Sequence, residues 1–208
     1  MRSAPFAAVF LSLVTLATSQ DVNLTTVKET FDDANIPANA TITFEPSVLF
    51  ELTFPQTSGA PVAVHAGIQL PRNATAGPPT FSVRDIKLSP IQPLVIAAVD
   101  LDAPTPQTPT RAQIRHFLGG NFFASDSGEL LNSTAAVSEF RQPTPPAGSD
   151  PHRYVFLLFN QPRGFNEQTL VNATTSVQNF NISQFAADVG LGNPIGGTFI
   201  LVGPDPTA

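Results

Sequence analysis

The chain of 208 residues contains no cysteine. Without thiols it cannot form disulfides, carry out thiol or disulfide chemistry, or hold a metal through cysteine ligands. Small secreted domains commonly depend on disulfides, whereas a domain of this length buries enough apolar surface to fold without them. The sequence is therefore expected to form its core by side-chain packing alone.

Charged residues are also scarce. Ten Lys and Arg stand against 16 Asp and Glu, which gives a formal net charge of −6, and only 12% of the residues are charged. A weakly acidic, sparsely charged surface attracts neither nucleic acid nor an anionic membrane. We therefore expect no nucleic-acid partner, although a local anion pocket is compatible with this balance.

The long apolar run is at the start of the chain. Arg2 precedes a mostly apolar stretch at residues 4–17, which is too short to span a membrane, and small residues follow. This pattern is typical of a secretory signal peptide over residues 1–19, with a buried N-terminal helix as the alternative. Cleavage would leave Gln20 as the first residue, and we expect no transmembrane segment after it.

Six Asn-X-Ser/Thr sequons are spread along the chain: Asn23, Asn39, Asn73, Asn132, Asn172 and Asn181. They use half of the twelve asparagines, which is more than chance placement predicts. Such an excess is typical of a secreted eukaryotic glycoprotein. We expect an extracellular protein, with the vacuole as the alternative destination of the same signal.

Residues 20–208 are expected to form one domain rich in strands. The apolar runs at 94–99 and 154–159 do not alternate with polar residues, as is typical of strands buried on both faces of a sheet. A third strand is predicted at 117–123, where Gly119-Gly120 permits a bulge or a close approach. Alternating apolar residues predict further strands at 50–54 and 62–70, and a last strand is expected at 198–202.

Two short helices are expected beside these strands. The first follows the signal and carries Thr26 and Glu29 at the spacing of a capping box. The second is capped by Asn181 or Ser183 and ends at Gly190. Both have apolar residues at helical spacing, so each is expected to pack one face against the strands.

Polar side chains cluster where the apolar strands end. Asp100 and Asp102 follow the first buried run, His152 and Tyr154 lie at the start of the second, and His116 directly precedes the third predicted strand. If these strands are neighbours, the five side chains converge into a small pocket suited to an anion. Proline-rich loops on either side would form a stiff rim.

The residue types suit anion binding. Protonated imidazole donates from both nitrogens, and a nearby aspartate raises the histidine pKa by attraction. We expect Asp100 to orient one imidazole, Tyr154 to donate its hydroxyl, and Asp102 to accept a head-group ammonium. Anion affinity should then fall as pH rises through the histidine pKa. Arg153 is interpreted as the partner of an inward carboxylate.

Three other interpretations fit some of the same residues. In the first, the polar side chains only tie loops to the sheet. In the second, His116, His152 and an aspartate imitate a metal site, but no HExxH or close histidine pair is present. In the third, Ser149 serves a Ser-His-Asp hydrolase, but no Gly-X-Ser-X-Gly elbow is present. We expect no metal, no cofactor and no enzymatic activity.

The order and spacing of these motifs resemble the phosphatidylethanolamine-binding protein (PEBP) family. The segments that carry the resemblance are VDLDAP at 99–104, RHFL at 115–118, HRYVFLLF at 152–159 and LGNPIGGTF at 191–199. Residues 41–44 fit the family's opening strand. The resemblance implies a mainly β, PEBP-like β-sandwich with a large central sheet and a few peripheral short helices.

The resemblance also implies that five residues form an anion pocket: Asp100, Asp102, His116, His152 and Tyr154. The chain departs from the family pattern near this pocket, where it has Leu101, Ile114, Arg115 and Thr144. Family members bind phosphate or phospholipid head groups, and several inhibit kinases or serine carboxypeptidases.

We therefore expect a secreted, monomeric binding protein for a phosphate or phospholipid head group such as phosphorylethanolamine. One alternative is an inhibitor of a serine carboxypeptidase of the carboxypeptidase Y type, which would be its protein partner. Another is a secreted structural or signalling glycoprotein with a vestigial pocket.

Overall fold

The computed structural model describes residues 20–84, 92–132 and 134–205, so the expected signal peptide at 1–19 lies outside the described residues. The helices are α1 (Leu24–Asp33), α2 (Ile36–Ala40) and α3 (Ile182–Val189), and short 3-10 helices cover Arg72–Thr75 and Phe165–Glu167. The strands are β1 (Leu49–Phe54), β2 (Val62–Ala63), β3 (Ile68–Leu70), β4 (Thr80–Arg84), β5 (Leu94–Asp100), β6 (Ile114–Ala124), β7 (Leu130–Asn132), β8 (His152–Asn160) and β9 (Gly196–Val202). No described helix is long and apolar enough to cross a membrane.

The strands form two sheets. The smaller sheet has the order β2-β1-β4 and the larger has the order β3-β9-β8-β5-β6-β7. β3 runs parallel to β9, and the other neighbouring strands are antiparallel. The two non-alternating runs of the sequence, β5 and β8, lie side by side in the middle of the larger sheet, as expected.

Both faces of the larger sheet are covered, which explains why its central strands are apolar throughout. Val95 and Ala97 of β5 belong to a core cluster shared with the helices. Ile96 and Ala98, on the opposite face, belong to a second cluster shared with the smaller sheet. Because successive side chains of a strand point to opposite faces, both sets must be apolar. The expected mainly β sandwich with peripheral helices is confirmed.

The two predicted helices are present, but the N-terminal cap of α1 is a different residue from the predicted one. The Asn23 side chain, and not Thr26, caps α1 by accepting a hydrogen bond from the Thr25 amide at 2.7 Å. Asn181 caps α3 by accepting from the Gln184 amide at 2.9 Å. This helix ends at Gly190, as predicted, in a left-handed conformation with φ of 75°.

Two strand predictions are wrong. The alternating run at 62–70 is interrupted at Gly67, whose φ is +82°, so β2 joins the smaller sheet and β3 the larger. Residues 41–44 are not a strand, because Thr41 ends α2 in a left-handed conformation with φ of 56°. In both places the hydrophobic pattern is preserved while the backbone turns, so periodicity alone did not reveal the break.

Candidate anion-binding site

A cavity of about 790 Å³ opens where the central strands of the larger sheet end. Four of the five predicted pocket residues line it: Asp100, His116, His152 and Tyr154. The fifth, Asp102, is not among the lining residues. Apolar groups, including Pro104 and Val177, form the rest of the wall beside polar ones.

Strand register brings three of these side chains together. Asp100, the last residue of β5, lies opposite Tyr154 of β8 and opposite Ile114 of β6. His152 precedes Tyr154 by two residues, so its side chain is on the same face of β8. The rings of His152 and Tyr154 stack with centroids 6.1 Å apart. Regular pairing of the three central strands therefore builds most of the site.

His116 reaches the pocket through a β-bulge. Ala98 of β5 pairs with Phe117 of β6, while its neighbour Val99 pairs with Arg115, so His116 is an extra residue in the ladder. The bulge turns its ring toward Tyr154, with centroids 4.9 Å apart and planes nearly perpendicular. Arg115 is left on the helix-covered face, over the ring of Phe180.

Asp100 orients the His152 ring, as expected. Its Oδ2 accepts a hydrogen bond from His152 Nδ1 at 2.9 Å, and its Oδ1 accepts from the Asp102 amide at 2.7 Å. The two side chains are buried, with residue exposures of 3% for Asp100 and 1% for His152. Because a carboxylate only accepts, Nδ1 of His152 carries a proton.

Beyond this imidazole lies Ser149, which makes a hydrogen-bonded series of serine, histidine and aspartate. Ser149 Oγ is 2.9 Å from His152 Nε2, and it also lies 2.8 Å from the carbonyl of Asp150. The carbonyl of Pro104 is 3.2 Å from the same Nε2. The single hydroxyl proton of Ser149 thus has two competing acceptors, whereas an activated serine donates to its imidazole. The serine is not among the cavity-lining residues.

Unlike His152, His116 is oriented by hydrogen bonds to the backbone of Arg141. Its Nδ1 donates to the carbonyl of Arg141 at 2.8 Å, and the Arg141 amide donates back to the His116 carbonyl, also at 2.8 Å. Burial lowers the pKa of His116 and outweighs the hydrogen bond to the Arg141 carbonyl and the attraction of Asp100, which both raise it. The repulsion of Arg141 and His152 makes a smaller contribution in the same direction as burial. The expectation of a raised histidine pKa is therefore wrong for His116.

Tyr154 keeps its phenolic proton. Burial raises the pKa of Tyr154, and the Asp100 carboxylate beside it acts in the same direction. The side chain is 2% exposed and lines the cavity between the two histidines. It is thus a neutral hydroxyl at the base of the pocket.

Asp102 is a structural residue in this fold, and the expected role as acceptor of an ammonium is wrong. Its Oδ2 accepts from the backbone N and the Nε of Arg153 at 2.7 and 2.9 Å, and its Oδ1 accepts from Nη2 at 2.5 Å. The predicted pairing of Arg153 with an inward carboxylate is confirmed. Arg153 continues to the carbonyl of Ala34 and to Asn39 Oδ1.

Arg115 is hydrogen-bonded to residues 175–177, the segment that leads into one wall of the cavity. Its guanidinium donates to the carbonyls of Thr175 and Ser176 at 3.1 and 3.2 Å, and its amide donates to the carbonyl of Val177 at 2.8 Å. Three consecutive carbonyls are therefore bound by one residue. Val177 and the next residue, Gln178, line the cavity.

Two arginines at the cavity were not predicted from the sequence. Arg111 and Arg141 both line it. Neither lies in a strand motif, because Arg111 is in the loop before β6 and Arg141 is in the segment before the proline-rich loop. The sequence does show an excess of arginine around the motifs. Four of the eight arginines of the chain lie between residues 99 and 154: Arg111, Arg115, Arg141 and Arg153.

Among the described residues, no three side chains of His, Asp and Glu gather closely enough to hold a metal ion. His116 and His152 face the same cavity, but each Nδ1 is already used in a hydrogen bond. The expectation of no metal stays a prediction.

The fold and the cavity together define a β-sandwich protein with a polar pocket at the ends of its central strands. Residues 60–200 match the profile of the family described as phosphatidylethanolamine-binding protein. Since this match covers more than half of the chain, the chain belongs to the phosphatidylethanolamine-binding protein family.

Individual relatives differ in what they share with the chain. A 26 kDa secreted antigen of Toxocara canis is 27% identical over 161 residues, which cover 76% of this chain and 57% of the antigen. The carboxypeptidase Y inhibitor of Saccharomyces cerevisiae is 51% identical over 43 residues, 21% of this chain and 19% of the inhibitor. The chain thus spans little more than half of the first relative and about a fifth of the second.

A solved structure agrees over a longer range. The crystal structure of carboxypeptidase Y inhibitor complexed with the cognate proteinase aligns with a TM-score of 0.74 at 20% identity. The alignment covers 88% of this chain and 97% of that chain. At this identity the likeness concerns the fold.

Proposed function

We propose that the protein is a secreted, glycosylated binding protein whose pocket takes a phosphate or a phospholipid head group, and that it is not an enzyme. The observation that carries this proposal is the convergence of His116, His152 and Tyr154 with two arginines on one cavity. The tyrosine hydroxyl and the guanidinium groups donate to an oxyanion, and each imidazole does so from Nε2 when that nitrogen is protonated.

The calorimetric test uses the three histidines of the chain. Inorganic phosphate is titrated into the wild type and into the variants His116→Ala, His152→Ala and His65→Ala. His65 does not line the cavity and serves as the matched control. We expect wild-type affinity in His65→Ala and a loss of at least about tenfold in the other two, since each ring lines the cavity and contacts Tyr154, whose hydroxyl is a donor to the oxyanion.

Circular dichroism of each variant separates loss of binding from loss of fold. Absence of phosphate binding by the folded wild type would contradict the proposal. Equal binding by all three variants would contradict it as well, because the phosphate would then bind outside the cavity.

Secretion is supported by the surface position of the sequons. All six asparagines are exposed: Asn23, Asn39, Asn73, Asn132, Asn172 and Asn181. Two of these asparagines, Asn23 and Asn181, cap helices. Each accepts the capping hydrogen bond on Oδ1, so its Nδ2 remains available for a glycan. The similarity to a secreted antigen of Toxocara canis supports the same destination.

Expression of the full chain in a eukaryotic secretory host tests this part of the proposal. We expect the protein in the medium, or in the vacuole, with a mass that decreases after treatment with peptide N-glycosidase. Retention in the cytosol without glycans would contradict it. Sequential Asn→Gln substitution then assigns the occupied sequons.

A second candidate function is inhibition of a serine carboxypeptidase. It is supported by the local 51% identity to the yeast carboxypeptidase Y inhibitor and by the shared fold. The first described residues do not match an inhibitory element that we can name, and Asp21 is engaged with the Ala66 amide at 2.9 Å. Loss of carboxypeptidase Y activity at micromolar protein would support this candidate, and full activity would exclude it.

A further inference from the structure

The cavity carries more positive charge than its aspartate can neutralise. Among its described lining residues, Asp100 is the single carboxylate, and it already accepts from His152 and from the Asp102 amide. Arg111 and Arg141 line the same cavity, and neither is a member of the ion pairs formed by the described residues. The rim is therefore cationic in a protein whose net charge is −6.

Backbone contacts hold both arginines at this rim. The Arg111 amide donates to the carbonyl of Ala103 at 2.9 Å, and the Arg111 carbonyl accepts from the Asn179 amide at 3.2 Å. Arg141 is bound to His116 through both its amide and its carbonyl. Each guanidinium thus extends from an anchored main chain, and neither forms a hydrogen bond or an ion pair with another residue that the structure describes.

The described lining of the cavity offers an ammonium ion one carboxylate, Asp100, and each oxygen of that carboxylate already accepts a hydrogen bond. Asp102, the second aspartate of the motif, is bound on both oxygens by Arg153. The remaining wall includes apolar side chains such as Ile114 and Val177. An ethanolamine ammonium would therefore meet two guanidinium groups, apolar surface and a carboxylate that is already engaged, so repulsion and desolvation disfavour it.

We propose that Arg111 and Arg141 make the pocket selective for a phosphate monoester whose ester group is uncharged, and against a head group that carries an ammonium. A phosphate monoester has a charge near −2 above about pH 6, and guanidinium binds its oxygens in a bidentate manner. The inference rests on the proposed function and names the ligand class of that site. The monoester group occurs both in lipids and in soluble metabolites.

Two ligands that differ by the ammonium alone test the proposal. Ethyl phosphate and phosphorylethanolamine are titrated by calorimetry at about pH 8, where the phosphate of both is a dianion. We expect ethyl phosphate to bind about tenfold more tightly to the wild type. Arg111→Gln and Arg141→Gln should each weaken ethyl phosphate about fivefold and reduce the preference, as expected for exposed ion pairs. Arg163→Gln, on an exposed residue outside the cavity, is the control.

The outcomes separate this inference from the function on which it rests. If neither ester binds the folded wild type, the phosphate pocket itself is wrong. If phosphorylethanolamine binds as tightly as ethyl phosphate, or if both arginine variants keep the wild-type preference, the pocket stands and the selectivity is overturned.

Phosphatidylcholine vesicles containing phosphatidic acid or phosphatidylethanolamine identify the source of the monoester. Binding to the phosphatidic acid vesicles alone would support the selectivity with a lipid ligand. Preference for ethyl phosphate without vesicle binding would support it with a soluble ester, and binding to the phosphatidylethanolamine vesicles alone would overturn it.

Discussion

Asp100 supports the pocket through two hydrogen bonds, and a neutral amide can form both only if His152 changes its tautomer. We predict that Asp100→Asn lowers the free energy of unfolding by roughly 1–3 kcal/mol, because one buried hydrogen bond to a charged group is lost. The amide can still accept from the Asp102 backbone, but its Nδ2 would face the Nδ1 proton of His152 and force the other tautomer. The affinity of the Asp100→Asn variant for phosphate should also be about tenfold lower than that of the wild type.

Urea denaturation and calorimetry measure the two effects. Asp126→Asn is the matched control, since Asp126 is exposed in the turn between β6 and β7, at the opposite end of β6 from the cavity. An Asp100→Asn variant with wild-type stability and wild-type phosphate affinity would show that the carboxylate does not orient His152.

His116 makes stability depend on pH in a definite direction. Its pKa is lowered in the folded protein by burial, so the unfolded chain binds the proton more readily. The stability that depends on neutral His116 is complete above the unfolded pKa of about 6.5 and is lost as pH falls below it. We predict that the free energy of unfolding decreases in this range more steeply in the wild type than in His116→Asn.

The amide of the asparagine variant retains a donor for the Arg141 carbonyl but does not titrate. Chemical denaturation at a series of pH values gives the two slopes. Parallel slopes for wild type and variant would contradict the lowered pKa, whatever the absolute stability of the variant.

At the scale of elements, Arg115 joins β6 to the segment that lines the far wall of the cavity. We predict that Arg115→Lys increases hydrogen exchange of the peptide covering residues 175–180, because an ammonium cannot span the two carbonyls that the guanidinium binds. Exchange in β8 should change little. Unchanged protection of 175–180 would show that the backbone bond from the Arg115 amide is sufficient by itself.

The close approach of β6 to the 161–165 loop depends on a glycine. A Cβ on Gly120 would lie 2.6 Å from Cε1 of Phe165 and 2.8 Å from Oε1 of Gln161. We predict that Gly120→Ala destabilises the protein by roughly 1–3 kcal/mol through overpacking. In Gly77→Ala the new Cβ meets nothing within 4 Å, so the change should be below about 1 kcal/mol. Equal midpoints in urea for the two variants would contradict the close approach.

For the molecule as a whole, the sequence could predict those site residues that lie on regular strands. Asp100, His152 and Tyr154 lie on central strands, where side chains alternate and the register follows from the apolar pattern. Burial of both faces is also visible in the sequence, as two runs without polar residues. The resemblance in motif order then gave the fold as a whole.

The rest of the site depends on contacts between distant segments. Asp102 lies beyond the end of β5, so strand alternation no longer indicates the direction of its side chain. It is bound by Arg153, which lies on the face of β8 opposite to His152 and Tyr154. The positions of Arg111 and Arg141 depend on loops that are fixed by bonds to Ala103, Asn179 and His116. Local patterns do not encode such bonds, which explains why these arginines were missed.

The measurement that tests the account most directly locates phosphate on the protein. Amide chemical shifts of the isotopically labelled protein are followed while inorganic phosphate is added. We predict that the largest changes fall at 100–104, 111–116, 141–146 and 152–154, around the cavity at the ends of β5, β6 and β8. Changes centred on a different cavity, which Arg72 and Asp205 line, or no saturable change at all, would contradict an anion pocket at this place.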